Sequence, residues 1–150
     1  MKKLVLALTI LLGTHLAMAQ TKKPATTKPT AAKPAATANL AASIARGKVV
    51  YQKSCIACHQ VDGSGVPRLN PPLIKTQYVL GEPNRLIKII LNGLNEDVEI
   101  DGEYYSNPMP PQPALNDQEV ADVLTYIRNS FTNKAPAITP AQVSTARKTK

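Results

Sequence analysis

The sequence predicts an all-α fold, a small bundle of about three to five helices joined by Pro-rich loops. Three observations predict it. Apolar residues recur at helical spacing in three separate segments. Prolines crowd into the stretches 67–72 and 108–113, where neither helix nor central strand can run. The chain also has a single Phe and no Trp, too little bulk for a unit of this size to close without a staple or a bound group.

The elements follow in order. Residues 1–19 begin with Lys2 and Lys3, continue through an apolar run from Leu4 to Leu12, and end on Ala17-Met18-Ala19. That is the pattern of a secretory signal, with cleavage expected after Ala19. The apolar run is shorter than the roughly 20 residues a spanning helix needs, and His15 interrupts it. Membrane attachment is therefore expected only if this segment is retained. Residues 20–39 repeat Lys-Pro among Thr and Ala without a large apolar side chain, which predicts a disordered linker. The globular unit is expected over 40–133.

Within that unit a first helix is expected over 41–54, with Ile44, Gly47 and Tyr51 on one face. Gly47 costs about 1 kcal/mol there against alanine, a cost that close packing of another helix would offset. A second helix is expected over 83–92, opened by Pro83 and stopped by Gly93. The segment "DVEIDGEYY" alternates Val98 and Ile100 ahead of Asp101-Gly102 and predicts a small hairpin or loop. The third helix, 117–131, carries the stripe Val120, Val123, Leu124, Ile127 and Phe131. Asn116 and Glu119 give it a capping box. In the basic tail 134–150, Thr139, Pro140 and Gln142 permit a short accessory helix.

The net charge of +8 misleads. All ten acidic residues fall in the globular unit, which has only eight basic ones. The remaining basic residues sit in the signal, linker and tail. A slightly acidic body with few aromatics is a poor nucleic-acid binder, and none is expected as a partner.

The chemistry lies in "SCIACHQVDG", which holds both cysteines and, after signal cleavage, the one histidine. A Cys55–Cys58 disulfide would close a very small loop and stabilise little. A dithiol oxidoreductase expects strand–helix surroundings that this chain lacks. A structural zinc needs four ligands, and Cys58 and His59 are adjacent, poorly placed to share a tetrahedron. Cys-x-x-Cys-His is instead the signature of covalent c-type haem attachment. Each thiol adds across one vinyl group, and His59 meets the iron. One haem c also supplies the missing apolar mass. Once the signal is removed, Met109 is the one methionine left, in "SNPMPPQP", where prolines stiffen its loop. Its thioether is the sixth ligand by elimination and would raise the potential. The alternative is a turn methionine packed on apolar surface, with water or nothing on the iron.

With these residues in view, the chain resembles the class I single-haem cytochromes c over about 40–133. "GKVVYQKSCIACHQVDGSG" is similar to the family's first helix and haem site. "NPPL" resembles the segment whose proline carbonyl receives the axial histidine's other N–H. "NPMPP" resembles the methionine loop, and "LNDQEVADVLTYIRNSF" the final helix. The resemblance implies a cytochrome c-like bundle wrapped around one covalent haem. It assigns the carbonyl to Pro71, with Pro72 a neighbouring possibility, and implies that Leu73 packs on the porphyrin. It also implies that Tyr126 meets the Gly47–Tyr51 face. A looser similarity points to haem domains that serve periplasmic dehydrogenases.

Electron transfer follows as the expected function: an exported, periplasmic carrier passing single electrons between redox partner proteins, a dehydrogenase or an oxidase, with no small-molecule substrate and no catalytic residue. The alternative is a haem enzyme or gas-binding protein with a labile sixth ligand, peroxidase-like. The acids Glu96, Asp97, Glu99, Asp101 and Glu103 either steer a basic partner or form a solvated loop. Tyr104 and Tyr105 could reach a haem propionate, as could Arg68 and Lys75, whereas Tyr51 and Tyr126 are expected to pack.

Overall fold

A computed structural model describes residues 33–149, so the expected signal and the start of the linker lie outside the described residues. Six helices and one two-stranded ribbon make up the described part. The first helix, α1 (Lys33–Ser54), begins inside the segment expected to be disordered. Pro34 falls in the first turn, where it is tolerated, and Ala35, Ala36 and Ala38 are strong helix formers. A single turn, α2 (Ile56–His59), follows, and a second, α3 (Gln77–Leu80), is capped by the Thr76 side chain accepting from the Val79 N–H.

The next helix, α4 (Pro83–Asn92), has the expected bounds. Glu82 caps it, its carboxylate accepting from the Asn84 and Arg85 N–H groups at 2.8 and 3.2 Å. The strands β1 (Val98–Ile100) and β2 (Glu103–Tyr105) pair antiparallel, Val98 opposite Tyr105, around Asp101-Gly102 with φ of 52° and 83°. Both signs are those of a two-residue hairpin turn. The long helix α5 (Asp117–Arg128) has the capping box of Asn116 and Glu119. It ends three residues early because Phe131 and Thr132 enter the left-handed region and turn the chain back.

Helix α1 crosses α5 at Gly47. A Cβ on Gly47 would stand 2.0 Å from the Asp122 carbonyl oxygen and 2.8 Å from the Tyr126 Cβ. The helix cost of glycine is thus offset by backbone contact. One turn on, Tyr51, Tyr126 and Phe131 form an aromatic triad with centroids 5.3–5.6 Å apart. The core continues through Leu86, Ile87 and Ile90 of α4 and Val120, Leu124 and Ile127 of α5.

The tail belongs to this core. The last helix, α6 (Pro140–Lys148), has the Thr139–Gln142 capping box and buries Val143 and Ala146. Ile138 is buried too, and its backbone is held on both sides by Thr125, whose hydroxyl accepts from the Ile138 N–H at 2.9 Å and donates to its carbonyl at 3.3 Å. The compact unit therefore extends past 133.

Candidate cofactor-binding site

Helix α1 hands over to α2 through a bend at Cys55. The N–H groups of Cys58 and His59 both donate to the Cys55 carbonyl, at 3.2 and 3.0 Å. One turn thereby presents both thiols and the imidazole. Cys55 is half-buried and lines a cleft; Cys58 is exposed at the turn's outer side. Burial, aided by the nearby Cys58, pushes the Cys55 thiol up to about 11. A raised thiol pKa runs against thiolate chemistry at Cys55.

His59 is oriented by its Nδ1, 3.0 Å from the Pro71 carbonyl oxygen. A carbonyl can only accept, so Nδ1 carries the proton and Nε2 keeps its lone pair. Burial holds the imidazole pKa below its usual value, outweighing the Pro71 bond that favours the proton. The lowered pKa favours the neutral ring, and the Pro71 acceptor on Nδ1 leaves Nε2 free, the form in which imidazole binds a metal. Tyr51 braces the residue after it, its hydroxyl donating to the Gln60 carbonyl at 2.6 Å. The 63–73 loop is pinned by the Leu73 N–H donating to the Gly63 carbonyl at 2.7 Å and by the Val66–Asn70 pair.

Beside this turn lies a cleft of about 750 Å³, open solvent at its mouth included. Cys55, His59, Pro71, Leu73 and Met109 all line it, as does Pro72. Its other walls are mostly apolar, with Val79, Leu86, Ile90, Leu124 and Ile127 among them. Met109 enters on a loop joined to the end of α4, where Leu94 and Met109 exchange two backbone hydrogen bonds of 2.9 and 2.8 Å.

Other candidates stand elsewhere. Tyr104 is exposed and donates to the Glu99 carboxylate at 3.1 Å; neither it nor Tyr105 lines the cleft. Arg68, 3.9 Å from Glu103, and Lys75 also lie off it. Of the acidic residues only Glu96 borders the cleft.

Two supporting residues carry no sequence signal. Asn133, buried, accepts from the Lys75 N–H at 2.7 Å and donates to the Leu73 and Ile127 carbonyls, each at 2.8 Å. It fixes the strand of chain that carries Leu73 into the cleft wall. Arg128 is fully buried and donates to the carbonyls of Val79 at 2.6 Å, Pro136 at 3.0 Å and Gly81 at 3.3 Å.

Two thiols and a neutral imidazole on one turn, a thioether from another loop and an apolar slot fit a flat metal-bearing macrocycle. The sequence pattern of cytochrome c matches residues 44–131. The chain belongs to the cytochrome c family. This cytochrome c is 36% identical over 127 residues to the cytochrome c subunit of the quinone alcohol dehydrogenase of Gluconacetobacter polyoxogenes, covering 75% of this chain and 25% of that one. It is 40% identical over 106 residues to the gluconate 2-dehydrogenase cytochrome c subunit of Pantoea cypripedii, covering 68% and 24%. With cytochrome c-552 of Thermus thermophilus it shares 34% identity over 91 residues, 58% of this chain and 69% of the other. The chain thus spans about a quarter of the length of the dehydrogenase subunits it matches. As in other members of a haem-bearing electron-transport family, Cys55 and Cys58 have the spacing of covalent haem attachment.

Proposed function

We propose that this cytochrome c is an exported single-haem carrier, moving one electron at a time between redox partner proteins. In this reading Cys55 and Cys58 hold the haem covalently, and His59 and Met109 are the axial ligands. The observation that carries it is the Nδ1 of His59 held by the Pro71 carbonyl in a cleft that Met109 also lines. When bound, the haem supplies a one-electron iron couple.

The chain's own residues do the rest. The Pro71 bond fixes the His59 ring and raises its basicity as a ligand. Leu73, Val79, Leu86 and Ile90 exclude water from the slot. The Met109 thioether is soft and favours the reduced state, which raises the potential. With both ligands engaged, the iron would have no open position for a peroxidase-like reaction.

The relatives' names support a dehydrogenase as the electron donor, met through a small transient contact. The signal pattern of residues 1–19 supports export to the periplasm. No helix among the described residues is long and apolar enough to cross a membrane.

The test is an absorption spectrum of protein from a host that matures c-type cytochromes, reduced, oxidised and as the pyridine haemochrome. The reading expects a haemochrome with two saturated vinyl positions and, when oxidised, the weak near-infrared methionine-to-iron band. A colourless protein with both thiols free would overturn it. Rapid CO binding by the reduced form would favour the labile-ligand alternative.

A further inference from the structure

The loop that carries Met109 is stiffened by its prolines, but none of its backbone N–H groups bonds within it to fix where it sits. Within 108–113, four of six residues are proline and lack an N–H. The two amides that remain are both spent outside the loop. Met109 donates to the Leu94 carbonyl at 2.8 Å and Gln112 to the Ile90 carbonyl at 2.9 Å. Leu94 returns a bond to the Met109 carbonyl at 2.9 Å. The last carbonyls of a helix lack partners within it, and here the end of α4 satisfies one of them with the loop.

Gly93 sits at the centre of this junction. Its N–H donates to the Ile89 carbonyl at 2.9 Å, and its φ of 77° lies in the left-handed region. A Cβ on it would meet the Met109 carbonyl oxygen at 2.5 Å and the Pro111 ring at 3.0 Å. The obstruction is backbone and proline ring, neither of which can rotate away as a flexible side chain does.

We infer that Gly93 is a positioning residue for the Met109 thioether: it lets the end of α4 latch the methionine loop, and any side chain there pushes the thioether out of place. The inference rests on the proposed His59/Met109 ligation. It gives α4 a role beyond packing. The helix end, not the loop, sets where the sulfur stands.

The test compares holoproteins of wild type, Gly93→Ala and Gly102→Ala. Gly102 is the control for positive φ, at 83°, with nothing within 4 Å of an added Cβ. Both variants strain a left-handed glycine, and only one touches Met109. Gly93→Ala is expected to lose the near-infrared methionine band and to bind CO when reduced, with a lower midpoint potential and an unchanged pyridine haemochrome. Gly102→Ala is expected to keep the band and stay closed to CO. A Gly93→Ala protein that keeps the band overturns the latch alone, as does loss of the band in both variants. A wild type without the band overturns the ligation and the latch together. Should Gly93→Ala fail to mature, amide exchange on the wild-type holoprotein decides. The Met109 and Gln112 amides are expected to be as protected as those of α4, and free exchange of either overturns the latch.

Discussion

Arg46 grips Asp122 through two hydrogen bonds, Nε to Oδ2 at 2.6 Å and Nη2 to Oδ1 at 2.8 Å, beside the crossing of α1 and α5. Ser43 adds a third at 2.6 Å. The carboxylate is buried while the guanidinium remains half exposed. Burial alone would raise the Asp122 pKa, but the hydrogen bonds from Arg46 and Ser43 outweigh it and hold the carboxyl below its usual value. A depressed folded-state pKa contributes stability that is present above the unfolded value, about 3.9, and is lost as pH falls through the folded value. Asp122→Asn is therefore expected to lower the melting temperature at neutral pH. The gap to wild type should hold down to about pH 5 and shrink below about pH 4. Thermal melts of both holoproteins across that range check this. A gap that does not narrow in acid would count against the pair.

The same crossing makes Gly47 intolerant of alanine. Helix propensity alone favours the change by about 1 kcal/mol. The added methyl, however, would lie 2.0 Å from the Asp122 carbonyl oxygen, and a backbone atom of α5 yields only if the helices separate. Overpacking of this kind costs about 1–3 kcal/mol, so Gly47→Ala should destabilise in spite of propensity. Denaturant unfolding measures it. A variant as stable as wild type would mean that α1 and α5 do not approach this closely.

What the sequence disclosed was whatever is encoded within a few residues. Pro83 and Gly93 bound α4 because one fits the first helical turn and the other the left-handed exit. Asn116 and Glu119 mark the start of α5 by satisfying each other's backbone. Cys55, Cys58 and His59 declare themselves because one turn has to carry all three. Met109, expected as the sixth ligand by elimination, lines the cleft. Asn133 and Arg128 were not legible, since their partners are carbonyls and amides up to 60 positions away, and neither period nor motif encodes such pairings. The reach of the core into the tail was hidden for a related reason. α6 buries only Val143 and Ala146, too short an apolar stripe to stand out. The start of α1 carries no clear signal, because the Lys-Pro repeats run up to Pro34 and only three alanines in the next four residues favour a helix.

Asn133 offers a test of how the cleft wall is held. Its side chain satisfies one amide and two carbonyls at 2.7–2.8 Å, joining the 73–75 segment to the end of α5. Asn133→Ala strands these groups in a buried place, where an unsatisfied polar group costs about 1–3 kcal/mol. A loss of about 2 kcal/mol or more is expected in denaturant unfolding of the holoprotein. Because Leu73 loses its tether, the visible spectrum should shift as well. A stable variant with an unaltered spectrum would show that the 73–75 segment is held by other contacts.

Arg128 gives the sharpest contrast between charge and shape. Burial pulls its pKa below the usual arginine value, with the Glu82 charge working the other way. Arginine nonetheless stays charged, and its planar fork reaches carbonyls from three stretches of chain at once. Lysine keeps the charge but not the fork, and a single ammonium on a flexible stem cannot span Val79, Gly81 and Pro136 together. Arg128→Lys should therefore cost about 1–3 kcal/mol, comparable to the loss of buried hydrogen bonds and not to a conservative exchange. Arg128→Met removes the donors altogether and should be at least as damaging. Unfolding of both variants beside wild type separates the cases. If lysine matches arginine while methionine does not, the buried charge matters and the three-carbonyl clamp does not.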